Sequence, residues 1–387
     1  MDHTNEKRRT VTRRGFLQTT ATASALAFGA VPSVVGANEE VVLGMIGTGG
    51  RGQRLLKAIT NIKGYRVAAV CDLVPERAAA AAEICAQYKP KVREYTDFKQ
   101  MLAEEKLDAC FVVTEEANHA KCVIPVLEAG LHCFSEKPID VTVEKVDRVV
   151  QAARKAKGIL QIGYQRRYLP VFQKAMSEIH SGNMGNVTYL QAQWHWPYGV
   201  GGRYLDMDFA GCWFLAQACH HADAMAWVMK DQPPICCAAM GEITQKNENP
   251  PLHCAEDHSG VLFKFPGHVV FSYTHVMNCC DAFCGEKLWV YLEKGGIDLP
   301  GGMKYPLAGQ GDPVRLAEAS SDWDNGTYEE LEAFGRHIRN GETPLSNAET
   351  ARIGTLMGIL GGKAMYKRQE RTFTPSIEYW KDLGTTT

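Results

Sequence analysis

What the chain lacks narrows its possible functions first. No apolar run reaches the roughly 20 residues that cross a bilayer; the mildly apolar stretch 21–31 is about half that length. Neither sign of charge dominates, since 42 Lys and Arg face 44 Asp and Glu for a formal net charge of −2. That balance gives no electrostatic footprint for nucleic acid or an anionic membrane surface. The 13 cysteines contain no C-x-x-C, only the adjacent pairs Cys236-Cys237 and Cys279-Cys280. This is not the spacing of a disulfide scaffold, and most are expected to be buried, reduced, small apolar residues. His253, Cys254, His258, Cys279, Cys280 and Cys284 are too irregularly spaced for a zinc site, so structural filling is expected and no metal. No internal repeat or low-complexity linker interrupts the mature part. What remains is 387 residues with 45% hydrophobic and 22% charged content, ordinary for two globular domains or three at most.

The first 37 residues stand apart. Lys7, Arg8 and Arg9 lead into Thr12-Arg13-Arg14-Gly15-Phe16-Leu17-Gln18, then the small-residue run, then Val35-Gly36-Ala37. This resembles a twin-arginine export signal, S/T-R-R-x-F-L-K, with Gln18 where Lys is common. It implies export to the periplasm or beyond by the twin-arginine machinery, which carries proteins already folded.

The mature chain is organised around residues 41–52, VVLGMIGTGGRG. An apolar run of strand length (Val41–Ile46) meets Gly47-Thr48-Gly49-Gly50-Arg51-Gly52, a G-x-G-x-x-G, and Leu55, Leu56 and Ile59 follow at helical spacing. Gly47 allows the tight turn, Gly49 lets backbone approach a pyrophosphate, and Gly52 lets helix and strand pack closely. The helix N-terminus offers unpaired N–H groups to phosphate. A second apolar run, 67–70, ends at Asp72, which falls 20 residues after Gly52. A carboxylate there accepts from the ribose hydroxyls of NAD and repels the 2′-phosphate of NADP.

Further along, apolar strands at 107–113, 131–134 and 160–163 alternate with helices at 75–86, 97–104, 119–129 and 141–156. That alternation predicts an α/β fold: a doubly wound, parallel Rossmann sheet over residues 40–163. From Tyr168 the texture changes. Helices are predicted at 171–180 and 214–229 and strands at 187–196, 236–240, 259–265, 268–275, 287–292 and 296–299. Short turns between the later strands, Phe265-Pro266-Gly267 among them, predict an open, mainly antiparallel sheet in an α+β domain spanning 164–387, closed by helices at 327–339 and 347–366.

GTGGRG, Asp72, Glu136-Lys137-Pro138, GYQRRYLP (163–170) and CHHADAMAW (219–227), taken in this order, resemble the glucose–fructose oxidoreductase / inositol dehydrogenase (Gfo/Idh/MocA) family from about Val41 onward. The resemblance implies a nicotinamide-dependent oxidoreductase acting on a sugar or cyclitol, assembled as a dimer or tetramer through an exposed sheet face. It implies Lys137 as the electrostatic partner of the reacting hydroxyl and His220 as its proton acceptor. It places Glu115, Asn118, His119 and Glu136 beside the cofactor, and Arg167, His221, Asp223 and Tyr204 toward substrate. One departure stands out: the family's acid four residues before the histidine is Ala216 here.

The expected activity is therefore hydride transfer between a carbohydrate hydroxyl and NAD. Two other outcomes keep the same fold: a glycosidase that uses NAD as a redox shuttle, and a sugar-binding protein that has lost the chemistry. Trp194, His195, Trp196, Tyr198, Arg203 and Tyr204 form an aromatic segment that suits carbohydrate recognition and an oligomer interface equally.

Overall fold

The run Val41–Ile46 forms strand β1, buried along nearly its whole length, as a strand covered on both faces must be. It pairs in parallel with β2 (Tyr65–Cys71) and β4 (Ala109–Val112). With β3 (Arg93–Tyr95), β5 (His132–Ser135) and β6 (Leu160–Ile162) it makes a six-stranded sheet in the order β3-β2-β1-β4-β5-β6. Helices α1 (Gly50–Ile59), α2 (Pro75–Ile84), α3 (Phe98–Glu104), α4 (His119–Glu128) and α5 (Val143–Lys155) are the connections. Strand order reverses between β1 and β4, so a crevice opens at their carboxyl ends. The computed structural model describes residues 40–244, 254–319, 326–367 and 370–385; the export-type leader expected over 1–37, and His253, lie outside the described residues. Strand β3 has no counterpart in the sequence analysis, because Arg93 and Glu94 are exposed and only Tyr95 is buried.

Helix α6 (Pro170–His180) leads into a nine-stranded sheet. Its strands are β7 (Val187–Trp196), β8 (Cys236–Glu242), β9 (His258–Lys264), β10 (Val270–Met277), β11 (Gly285–Leu292), β12 (Gly295–Asp298), β13 (Met303–Pro306), β14 (Val314–Arg315) and, after the small hairpin β15 (Tyr366–Lys367) and β16 (Thr372–Phe373), β17 (Ser376–Tyr379). The order is β14-β13-β12-β11-β7-β10-β9-β8-β17, antiparallel except for the central β7–β10 pair. One face carries the helices, with Phe214 packed on Phe263 and Tyr273. The other exposes Met240, Leu262, Val276, Tyr291 and Ile377.

Two expectations need correcting. The helix predicted over 214–229 is two pieces, α8 (Trp213–Ala216) and α9 (Cys219–Val228), with a short α7 (Met207–Ala210) ahead of them. The Glu256 carboxylate accepts from Trp213 N at 3.0 Å and Phe214 N at 2.9 Å, which fixes where α8 begins. Residues 164–387 are also not one separate domain. Helix α10 (Thr327–Asn340) returns to the first sheet and buries Leu331, Phe334 and Ile338 in its core. Phe334 stands edge-on to Phe111 at 5.4 Å and to Phe134 at 5.9 Å. Helix α11 (Ala348–Met365) then joins the halves, packing on α5, α9 and β8.

Most cysteines are buried and free, but Cys279 and Cys284 form a disulfide. Among the described residues no His, Cys, Asp or Glu cluster is arranged to hold a metal. None of the described helices is long and apolar enough to cross a membrane.

Candidate active site

Glycine builds the β1–α1 turn where no other residue fits. Gly47 has φ +90°, and a Cβ there would overlap the Val113 carbonyl; a Cβ on Gly52 would overlap the carbonyl of Gly47. Gly49 and Gly50 differ, because no heavy atom lies within 4 Å of where their Cβ would stand. Both open onto a cavity of about 1020 Å³ at the switch point, whose walls include Asp72, Glu136, Lys137 and His220. An anion group fits this cradle: side chains are excluded by composition and the α1 N-terminus points its positive end inward. Asp72 is aimed from behind. Its Oδ2 accepts from Thr48 N at 2.8 Å and Thr48 Oγ1 at 3.2 Å, and its Oδ1 from Val74 N at 3.0 Å. Thr48, fully buried, orients the carboxylate rather than facing the cavity.

Other residues assigned to the cofactor end act partly as braces. The Arg51 guanidinium donates to Glu136 Oε1 at 2.6 Å and to Thr327 Oγ1 at 3.2 Å, tying α1 to β5 and α10. Burial alone would raise the Glu136 carboxyl; Arg51 and Lys137 outweigh it and hold the group below the usual carboxylate range. His119 is buried with Nδ1 2.6 Å from the Pro138 carbonyl and Nε2 3.1 Å from that of Thr114. It clamps the turn after β4 to the turn after β5. Glu115 and Asn118 stand on the same wall.

At the other end Lys137 leaves β5 and donates from Nζ to the Ala216 carbonyl at 2.8 Å. The position lacking the expected acid thus still meets the lysine, through backbone. His220, the second residue of α9, sits on the same cavity with its Nδ1 buried and unpartnered and its ring edge-on to Tyr164 at 5.9 Å. Burial, and then the charges of Lys137 and Arg166, hold its pKa well below 6.5. It is a neutral imidazole at neutral pH, the form a proton acceptor needs. Tyr204 lines the cavity too, its hydroxyl accepting from Arg203 Nη2 at 2.9 Å and from Gln217 Nε2. Burial pushes that phenol up. Arg203 in turn shares its Nε–H between the two carboxylate oxygens of buried Glu116 at 2.9 and 3.0 Å.

Three assignments toward substrate need correcting. Arg167 is 1% exposed and lies outside the cavity wall, forked onto Asp223 at 2.9 Å and joined to Asp231 at 2.6 Å. Asp223 is consumed by that pair, so both residues lock α9 to the segment after β6. His221 is fully buried behind the wall, with Nε2 2.8 Å from Glu286 Oε1. The residues that do face the cavity are Arg166, one position earlier, and Glu286 at the head of β11, which are ion-paired. The motif 163–170 showed two adjacent arginines without showing which one points inward. Glu286 had no local signal, since the strand predicted at 287–292 began one residue past it.

Two family models account for this architecture. The Gfo/Idh/MocA model described as an oxidoreductase family with an NAD-binding Rossmann fold matches residues 41–164, and the Gfo/Idh/MocA C-terminal domain model matches 172–298. Inositol 2-dehydrogenase of Salmonella typhimurium is 26% identical over 267 residues, covering 66% of this chain and 73% of the relative. A crystal structure of myo-inositol 2-dehydrogenase from Lactobacillus plantarum has a TM-score of 0.69 at 19% identity, over 84% of this chain and 97% of that one. Levoglucosan dehydrogenase in complex with NADH and levoglucosan reaches 0.74 at 15% identity, over 87% and 99%. At such identities the structural likeness shows the fold.

Proposed function

The chain belongs to the Gfo/Idh/MocA family of NAD-binding oxidoreductases, and from that premise we propose that it is an exported dehydrogenase oxidising or forming a hydroxyl on a sugar, glycoside or cyclitol. The observation that carries this is the pairing of Lys137 and a neutral, partly unpartnered His220 on one wall of the cavity that Gly49, Gly50 and Asp72 open into. NAD, held by Gly49, Gly50 and Asp72, supplies the hydride acceptor. Everything else falls to side chains. His220 takes the hydroxyl proton at Nε2, the ring nitrogen left once Nδ1 is closed off. The Lys137 ammonium stabilises the alkoxide character that develops as the C–H bond weakens. The inositol dehydrogenase among its sequence relatives supports a carbohydrate or polyol substrate.

The test is to incubate the purified chain with NAD and a panel of free sugars, glycosides and cyclitols, following the absorbance of reduced nicotinamide. Stoichiometric NADH formation with one class is expected. Sugar released from a glycoside without net NADH would reassign the protein as a redox-shuttle glycosidase. No saturable NAD binding would make it a sugar-binding protein.

Export and self-assembly belong to the same proposal. The twin-arginine pattern at 12–18 and the Cys279–Cys284 disulfide, a bond at home in an oxidising compartment, support the first. The uncovered apolar residues on the second sheet support the second. One preparation reads both: the protein is expected in the periplasmic fraction, at a mass two or four times that of the protomer. A cytoplasmic monomer overturns both.

A further inference from the structure

The ion pair at the substrate end carries an inference that deepens the dehydrogenase reading and rests on it. Arg166 Nη2 donates to Glu286 Oε1, and His221 Nε2 lies 2.8 Å from that same oxygen without hydrogen-bond alignment. Among the described residues no donor meets Oε2, although the side chain is on the cavity wall. Arg166 and His221 together hold the carboxyl at about 2 against the upward push of burial, so it is ionised and only accepts. Beside it Arg166 Nη1 and Gln165 Oε1 are buried without partners, and both residues line the same cavity. Unpaired acceptors and a donor around one cavity call for a ligand that supplies both, which is what adjacent hydroxyls do.

The arrangement also sets charge. Arg166 is neutralised by Glu286, Arg51 by Glu136 and Arg203 by Glu116. An anionic sugar entering here would meet guanidinium groups each already paired with a carboxylate, and the free oxygen of one of those carboxylates.

We propose that Glu286 is the substrate-orienting carboxylate of this site: Oε2 accepts from a hydroxyl adjacent to the reacting carbinol, and its charge restricts the site to uncharged polyols. Glu286 touches substrate; His221 is a positioning residue that acts by holding Glu286.

The experiment uses the full-length protein loaded with NAD. Its readouts are steady-state NADH formation and quenching of the indole fluorescence of Trp194 and Trp196 by myo-inositol, methyl glucoside and glucuronate. Glu286→Gln is isosteric and is expected to raise KM, and the dissociation constant from quenching, by roughly 10- to 100-fold for the preferred uncharged compound. Change in kcat is expected to stay within a few-fold, and NAD affinity and the unfolding midpoint to stay level. With Arg166 released, the same variant is expected to bind glucuronate that the native protein rejects. Glu286→Asp keeps the charge but withdraws the oxygen; it should lose polyol affinity and still exclude glucuronate. Unchanged KM and quenching in Glu286→Gln, or saturable glucuronate binding by the native protein, overturn the proposal. Polyol binding that depends on Glu286 without any NADH formation would sink the dehydrogenase reading and leave this one standing. NADH formation indifferent to Glu286 does the reverse.

Discussion

Lys137→Met is expected to lower kcat by about 10²–10³-fold while NAD binding changes by no more than a few-fold. The size follows from removing one preorganised cation from the site where negative charge develops. The selectivity follows from position. Lys137 lies at the exit of β5 with its ammonium on the Ala216 carbonyl, whereas the phosphate cradle is built from Gly49, Gly50 and the α1 N-terminus, which the substitution does not touch. Methionine keeps the length of the stem and its packing, so a collapse of NAD affinity would indicate a structural lysine. Retention of more than a tenth of kcat would remove it from the chemistry. Stopped-flow measurement of the first turnover separates a slowed hydride step from slowed product release.

Stability is expected to fall steeply on mild acidification. His220, His221 and His275 are all buried, and burial is the leading cause that lowers each: His220 well below 6.5, His221 to about 4, His275 to about 3. A histidine kept neutral in the native state binds fewer protons there than in the unfolded chain. Its contribution is therefore intact above about pH 6.5 and is lost as pH drops below that value. Glu256 runs the other way. Burial pushes it up to about 7, so it favours the native state as pH falls from about 7 toward the ordinary carboxylate range. Asp223, which burial raises to about 6, runs with Glu256. His132 and His337, which burial lowers, run with the other histidines. Losing groups outnumber gaining ones, so the net is a loss on the order of 1–3 kcal/mol per pH unit between about 6 and 4.5. Urea unfolding followed by tryptophan fluorescence at pH 7, 6 and 5 measures it. A midpoint that stays level across that range would mean these imidazoles are protonated in the native protein.

The nucleotide end of the site was legible because its grip is local. Gly47, Gly49, Gly52 and Asp72 lie within one strand–helix–strand unit, and each answers to a backbone constraint that shows in residue type. Glu136-Lys137-Pro138 was legible for a related reason, since the residues at the exit of a parallel strand come out at the crevice. The substrate end was read less well. Arg166 and Arg167 are neighbours in one short turn, yet Arg166 faces the cavity while Arg167 is buried against Asp223, and only the packing of α9 decides which does which. Glu286 arrives on a strand far along the chain, placed by the pairing of β11 with β7, where Glu286 stands opposite Trp194. Such register is a property of the whole sheet and leaves no mark near residue 286. The helix over 214–229 was drawn through a real break because Gln217 and Ala218 carry no breaker chemistry; the buried carboxylate of Glu256 that starts α8 lies about 40 residues downstream.

Helix α10 has a consequence for how the protein comes into being. Phe111 and Phe134 sit in the middle of the dinucleotide half, but the ring that covers them, Phe334, is synthesised some 200 residues later. Tyr65 likewise waits for the Leu331 carbonyl, to which it donates at 2.5 Å. On the ribosome the first half of the chain thus stays unfinished, with aromatic surface open, until almost all of the polypeptide has emerged. Competence to capture the dinucleotide is therefore expected only once α10 has docked, and a chain cut short before α10 is expected to leave this aromatic core uncovered.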